Sequence, residues 1–177
     1  MPVRSTLIAL LALMAITRIG HFGSFVSLPD ASLAVFLLGG MWLAGWGAFA
    51  AFMALAFAID VGLAQSATEA GWCLTPAYWG LLPTYALLWQ VGRWLRAWPE
   101  LPPVRFAAVS ALAVTFAFVV SNATFWAFSG LFPEMSAAEY AQRVMGYYPP
   151  YLGSAALYLA LGWLAHRLLT ARRTALV

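Results

Sequence analysis

The chain has a single cysteine, Cys73, in the segment Gly71-Trp72-Cys73-Leu74-Thr75-Pro76. This segment interrupts two apolar runs, so the thiol is predicted to lie in a loop and not within a helix. A thiolate is a strong ligand for soft or borderline metals, and it is reactive when its pKa is lowered and solvent can reach it. The competing interpretation is a small apolar side chain without chemistry, as is usual for a lone cysteine.

Asp60 is the second candidate, because it is the only charged residue within the apolar stretch 31–64. A carboxylate at membrane depth is costly and is usually paired or functional. Arg18 is expected at a similar depth, so an ion pair with Arg18 and a functional role for Asp60 are equally open. His21 lies three positions after Arg18 and is interpreted either as an interfacial histidine or as a ligand-binding residue.

Arg143 and Tyr78 complete the set of polar candidates. Arg143 is either a solvated charge or a donor to a phosphate or amide oxygen of a ligand. Tyr78 belongs to a group of aromatic residues near one predicted membrane interface. An aromatic belt explains such a group, but some members could also form the walls around a large flat ligand.

Several kinds of chemistry lack their sequence signals. The chain has no P-loop or other nucleotide-binding motif, and one cysteine allows neither a Cys-x-x-Cys motif nor an intrachain disulfide. The net charge of +3 comes from arginines placed between apolar segments, without the basic stripe of a nucleic-acid-binding protein. A nucleotide site and a nucleic-acid partner are therefore not expected, and ionisable residues are too few for a proton relay.

The composition predicts which elements position these residues. Because 64% of the residues are apolar and only 8% are charged, we expect an all-α integral membrane protein with a single transmembrane domain over residues 1–177. Ser136-Ala137-Ala138-Glu139 has the pattern of a capping box and predicts a short surface helix over 137–145. The six predicted spans are 5–19, 31–44, 47–64, 77–95, 106–129 and 151–166, with a tight hairpin at Gly45-Trp46-Gly47 between the second and third.

The arginines predict the orientation of this six-helix bundle. With the N-terminus in the cytoplasm, only Arg18 and Arg143 lie on the outer side, and both termini are cytoplasmic, as six spans require. The loops that carry the polar candidates then all face outward, so any binding or chemistry is expected at the outer face. The arginines on the inner side are Arg4, Arg93, Arg96, Arg105, Arg167, Arg172 and Arg173.

The segments around His21 and Leu28-Pro29-Asp30-Ala31-Ser32-Leu33-Ala34, together with Asp60 and the Trp72-Cys73-Leu74-Thr75-Pro76 loop, give the chain a family resemblance. It resembles the BtuM family of vitamin B12 transporters, which are solitary substrate-binding (S) components of the energy-coupling factor (ECF) type. The resemblance covers essentially the whole chain, and the loop cysteine is its most specific element.

The resemblance implies uptake of cobalamin across the bacterial inner membrane, with an outward-facing pocket in which Cys73 ligates the cobalt. It also implies that His21, Asp60, Tyr78 and Arg143 shape the pocket, and that Cys73 could remove cyanide from cyanocobalamin as a secondary, reductase-like activity. An ECF energising module is an implied partner. The first helix departs from the Ala-x-x-x-Ala docking pattern of such components, because its alanines are Ala9, Ala12 and Ala15.

Three other functions stay open. One is a membrane thiol enzyme that acts on corrinoids without net transport. Another is an S-component for a different vitamin, in which Cys73 is inert. The last is a purely structural membrane subunit that binds no ligand.

Overall fold

The computed structural model describes residues 3–19, 28–66, 74–98 and 100–174, without the side chains of 66 and 169–174. Within these residues the chain forms α-helices and two 3-10 segments, and no β-strand. The 3-10 segments are Pro76–Gly80 and Met145–Tyr147. The α-helices are α1 (Val3–Ile19), α2 (Ser32–Trp42), α3 (Trp46–Ser66), α4 (Leu81–Arg96), α5 (Pro103–Phe128), α6 (Ala137–Val144) and α7 (Tyr148–Thr174).

Local sequence sets several of the helix ends. Pro103 begins α5 after an extended Pro102, where the missing backbone N–H of proline costs no hydrogen bond. The predicted capping box is confirmed, because the Ser136 hydroxyl accepts from the Glu139 N–H while the Glu139 carboxylate accepts from the Ser136 N–H. The predicted span 77–95 instead begins as a 3-10 segment, and its α-helix starts only at Leu81.

The turn between α2 and α3 lies two residues earlier than the sequence predicted. The N–H groups of Leu43 and Ala44 both donate to the Gly39 carbonyl, at 2.8 and 3.2 Å, which closes the end of α2. Ala44 adopts a φ of 58°, and Gly45 follows it. The chain has therefore reversed before Trp46, so Trp46 and Gly47 belong to the first turn of α3 and not to the hairpin.

Helix α2 lies at the centre of the bundle. Every residue from Ser32 to Met41 is buried, which fits a helix that is apolar on all faces. It packs most closely on α4, where Gly40 contacts the backbone of Trp89 and Gly92 contacts the backbone of Leu37. A side chain larger than hydrogen at either glycine would force the two helices apart.

The other long helices carry apolar side chains on the outside of the bundle. On α5, Leu112, Phe116 and Val119 are 70%, 54% and 55% exposed and share one face of the helix. Among the helices that the structure describes, two could cross a membrane by length and composition, Trp46–Gln65 of α3 and Pro103–Phe128 of α5.

Candidate functional site

The site is built around Arg18, which lies on the buried face of α1 together with Thr6, Leu10 and Met14. This arginine is only 8% exposed and Asp60 of α3 is only 7% exposed. The guanidinium forms a bidentate ion pair with the carboxylate, in which Nε donates to Oδ1 at 2.7 Å and Nη2 donates to Oδ2 at 2.6 Å. This planar fork matches the shape of a carboxylate, so the pair satisfies both groups in the protein interior.

The remaining guanidinium nitrogen of Arg18 reaches α2 and α4. Its Nη1 donates to the Ser32 hydroxyl at 2.9 Å and to the Tyr85 hydroxyl at 3.2 Å. Nη1 also lies 3.7 Å from the carboxylate of Asp30. Asp30 in turn accepts from the backbone N–H and the hydroxyl of Ser32, at 2.9 and 2.7 Å, which fixes the start of α2.

Tyr78 adds a third donor to the Asp60 carboxylate, because its hydroxyl donates to Oδ2 at 2.9 Å. We call this group of six side chains the Arg18 cluster: Arg18, Asp30, Ser32, Asp60, Tyr78 and Tyr85. It joins α1, α2, α3, α4 and the 3-10 segment before α4. With one guanidinium and two carboxylates its formal charge is −1, so the arginine is fully compensated.

A cavity of about 370 Å³ opens beside the cluster. Arg18, Asp30, Asp60, Tyr78 and Tyr85 line one side of it, and residues near the C-terminal end of α5 line the other. An adjoining cavity of about 360 Å³ shares Asp30, Leu81, Tyr85 and Ser121 with the first. The α5 side chains that line the first cavity are Ser121, Asn122, Thr124 and Phe125.

The two cavities offer a mixed surface. Asn122 is held in place, because its amide nitrogen donates to the Phe118 carbonyl at 2.9 Å and its oxygen accepts from the Tyr140 hydroxyl at 3.3 Å. Tyr147 and Tyr151 extend the aromatic wall in the second cavity. Aromatic and aliphatic walls with a few fixed polar groups are typical of a binding site for a small organic molecule.

The structure brings together two of the residues that the sequence singled out, Asp60 and Tyr78. Arg143 is exposed on α6 and does not line either of the two cavities. His21 and Cys73 lie outside the described residues. Within the described part of the chain, no three His, Cys, Asp or Glu side chains form a group that could hold a metal ion.

Neither a protein-family model nor a curated protein sequence matches this chain.

Sequence reasoning predicted the ion pair between Arg18 and Asp60 as one of two alternatives, and the pair is present. It missed Tyr85, although Tyr85 follows Tyr78 by seven residues, a spacing that places two side chains on one face of a helix. It also missed Asn122, the only asparagine in the chain, near the end of the predicted span 106–129. A polar side chain within a predicted membrane span is a signal of a functional residue, and Asn122 could have been identified from it.

Proposed function

We propose that this protein takes up vitamin B12 (cobalamin) across the bacterial inner membrane, as an S-component of the BtuM type. In this proposal six spans form the bundle, both termini are cytoplasmic, and the corrinoid binds in the outward-facing cavities beside the Arg18 cluster. Cys73 ligates the cobalt. Cobalamin is the transported substrate and not a resident cofactor.

One observation carries the proposal: a mixed aromatic and polar cavity lies next to the chain segments that lead to Cys73 and His21. Tyr78 follows Cys73 by five positions in sequence, which limits the distance between their Cα atoms to about 17 Å. His21 follows Arg18 by three residues, for a limit of about 10 Å. Tyr78 and Arg18 both line the cavity, so a corrinoid bound there is within reach of both segments.

The outward apolar side chains of α5 and α3 support placement in a bilayer, because such a surface is unusual for a soluble monomer. Helix α2, with 11 residues, is about 16 Å long and cannot span the hydrocarbon core alone. Neighbouring helices bury its residues from Ser32 to Met41, so this helix is surrounded by protein and not by lipid. A helix in that position can be shorter than the hydrocarbon core is thick.

The proposed chemistry follows from the ligand type. A cysteine thiolate that coordinates one face of a cobalt(III) corrin would weaken the bond to cyanide on the opposite face. Cyanide then leaves with its electron pair and takes a proton from water, and this exchange needs no reductant. Reduction of the cobalt would need an external thiol as the electron donor.

An absorption spectrum of the detergent-purified protein mixed with cobalamin tests the proposal, with wild type beside Cys73→Ser. We expect a shifted corrin spectrum that co-purifies with wild type and is lost in the variant. Bound cobalamin with identical spectra would keep the binding function and remove the cysteine from it. No bound cobalamin would favour an S-component for another vitamin. Gln142→Ala, on the exposed side of α6, is a control for a change of side chain outside the described cavities.

A second experiment separates transport from catalysis. Proteoliposomes that contain wild-type protein should accumulate labelled cobalamin, and cyanide release should fall to background in Cys73→Ala. Cyanide release with turnover but without accumulation would favour the thiol enzyme. The exposed Ala9 and Ala12 on α1 mark the face that we expect to contact an ECF energising module, if accumulation requires one.

A further inference from the structure

A third cavity, of about 560 Å³, lies at the opposite end of the bundle from the Arg18 cluster. It is lined by the C-terminal ends of α2 and α4, the start of α5 and the C-terminal part of α7. The Arg18 cluster, in contrast, contains Ser32, the first residue of α2, and Tyr85, in the second turn of α4. We call this cavity the inner cavity, since the proposed topology places it on the cytoplasmic side.

The charges around the inner cavity favour an anion. Arg96 and Arg167 line it, against one carboxylate, Glu100, so the lining carries a formal charge of +1 with histidine neutral. Arg105 adds a further positive charge nearby, because its guanidinium lies 4.5 Å from the ring centre of Trp98, which also lines the cavity. Arginine side chains of this kind are the preferred partners of phosphate groups.

Trp42 contributes ring surface to the inner cavity. It lines the cavity, and its ring stacks on His166 with centroids 6.4 Å apart. The Nη1 of Arg96 lies at 3.4 Å from the Trp42 carbonyl, at the long limit of a hydrogen bond. This contact holds the Arg96 guanidinium beside Trp42 at the wall of the cavity.

The rest of the lining is apolar. Trp98, Trp163, Met41, Leu95 and Leu101 surround the charged residues. A free inorganic anion would leave this surface without a partner, whereas a phosphate attached to an apolar body would contact both kinds of surface. Basic pockets between membrane helices on the cytoplasmic side are also suited to anionic lipid headgroups.

We propose that the inner cavity binds the phosphate group of an anionic phospholipid. Arg96 and Arg167 hold the phosphate, and the tryptophan rings contact the start of the acyl chains. This inference requires that the helices lie in a bilayer, but it does not depend on corrinoid binding at the other end.

Native mass spectrometry of the detergent-solubilised protein tests this. We expect phosphatidylglycerol to be retained in preference to phosphatidylcholine, and Arg96→Gln/Arg167→Gln to weaken retention about thirtyfold, which corresponds to roughly 1 kcal/mol per arginine. Arg4→Gln/Arg93→Gln is the matched control, because it removes the same charge at residues that do not line the cavity.

Three outcomes would overturn the proposal. One is equal retention of the two lipids by wild type, and another is equal loss in the cavity variant and its control. The third is competition by glycerol phosphate at the same concentration as phosphatidylglycerol, which would show that a soluble phosphate compound suffices. Cobalamin binding, measured on the same samples, reports independently on the proposed function.

Discussion

The two ends of the bundle use arginine in opposite ways. At one end Arg18 is buried, and two carboxylates and two hydroxyls surround its guanidinium. At the other end Arg93, Arg105 and Arg167 lie over the rings of Trp46, Trp98 and Trp163, with Arg105 and Arg167 exposed. The first arrangement fixes a unique geometry inside the protein, whereas the second keeps the charge in contact with solvent.

This difference shows that the position of the carboxylates decides what an arginine does. Asp30 and Asp60 both lie at the Arg18 end, so a buried guanidinium there has partners for its donors. Removal of one partner from such a buried pair leaves the other charge uncompensated. Removal of an exposed arginine that lies over an aromatic ring exposes only the apolar surface of that ring. The stability effects at the two ends should therefore differ several-fold.

The largest expected effect is that of Asp60→Ala. It leaves the Arg18 guanidinium buried without its main partner, and we expect a loss of about 3–5 kcal/mol in the free energy of unfolding. Thermal unfolding in detergent measures this. The double variant Arg18→Met/Asp60→Leu removes both charges and should recover much of the loss. If Asp60→Ala were no more destabilising than Arg105→Ala, the contrast between the two ends would be lost.

A smaller effect is expected at the same end for Tyr78→Phe. This change removes one donor to the Asp60 carboxylate but leaves the bidentate ion pair with Arg18 in place. We therefore expect the free energy of unfolding to fall by about 1–2 kcal/mol. Chemical unfolding at equilibrium can resolve a difference of this size. Tyr147→Phe is the control, since Tyr147 is mostly exposed. Equal effects of the two variants would contradict a specific role for the Tyr78 hydroxyl.

At the tryptophan-rich end we expect Arg105→Ala to cost about 0.5–1 kcal/mol, because an exposed cation over a ring contributes little. The same unfolding measurement applies. Arg105→Lys should retain part of this energy, and Arg143→Ala, on the exposed face of α6, should cost less. A loss at Arg105 as large as that at Asp60 would mean that this end also relies on a specific ion contact.

The smallest effect concerns Glu139, a carboxylate in water. Hydrogen bonds from the Ser136 hydroxyl and backbone N–H lower the pKa of Glu139 below its usual value of 4.5. The lowered pKa means that the ionised form stabilises α6 above pH 4.5, and that this contribution is lost as the pH falls through the lowered pKa. Amide hydrogen exchange over 137–144 should therefore differ between wild type and Glu139→Gln at neutral pH and converge in acid. A difference independent of pH would contradict this.

Much of the helix order could be predicted from the sequence, because long apolar runs and proline or capping signals mark where helices begin and end. The Arg18–Asp60 pair could also be predicted, since two isolated opposite charges in apolar surroundings must compensate each other. The inward faces of α2, α3 and α5 were not predictable, because a helix that is apolar on all sides has no periodic pattern to show which side is buried.

The convergence of Asp30, Tyr85 and Asn122 on one cavity was harder still to predict. Each contact joins residues far apart in sequence, as in the bond from Arg18 to Tyr85, and depends on how α1, α2 and α4 cross. Periodicity within one helix carries no information about that crossing. The inner cavity depends likewise on how the ends of four helices meet, and no residue pattern in the chain predicted it.

The backbone contact between α2 and α4 has a mechanical consequence. Gly40 and Gly92 bring the two helices together without intervening side chains, so neither helix can tilt or slide alone without steric overlap. The two helices therefore move as one rigid unit, with Asp30 and Ser32 near one end and Trp42 and Arg96 at the other. A displacement of this pair that widens the cavity beside Arg18 therefore also moves the walls that the pair contributes to the inner cavity.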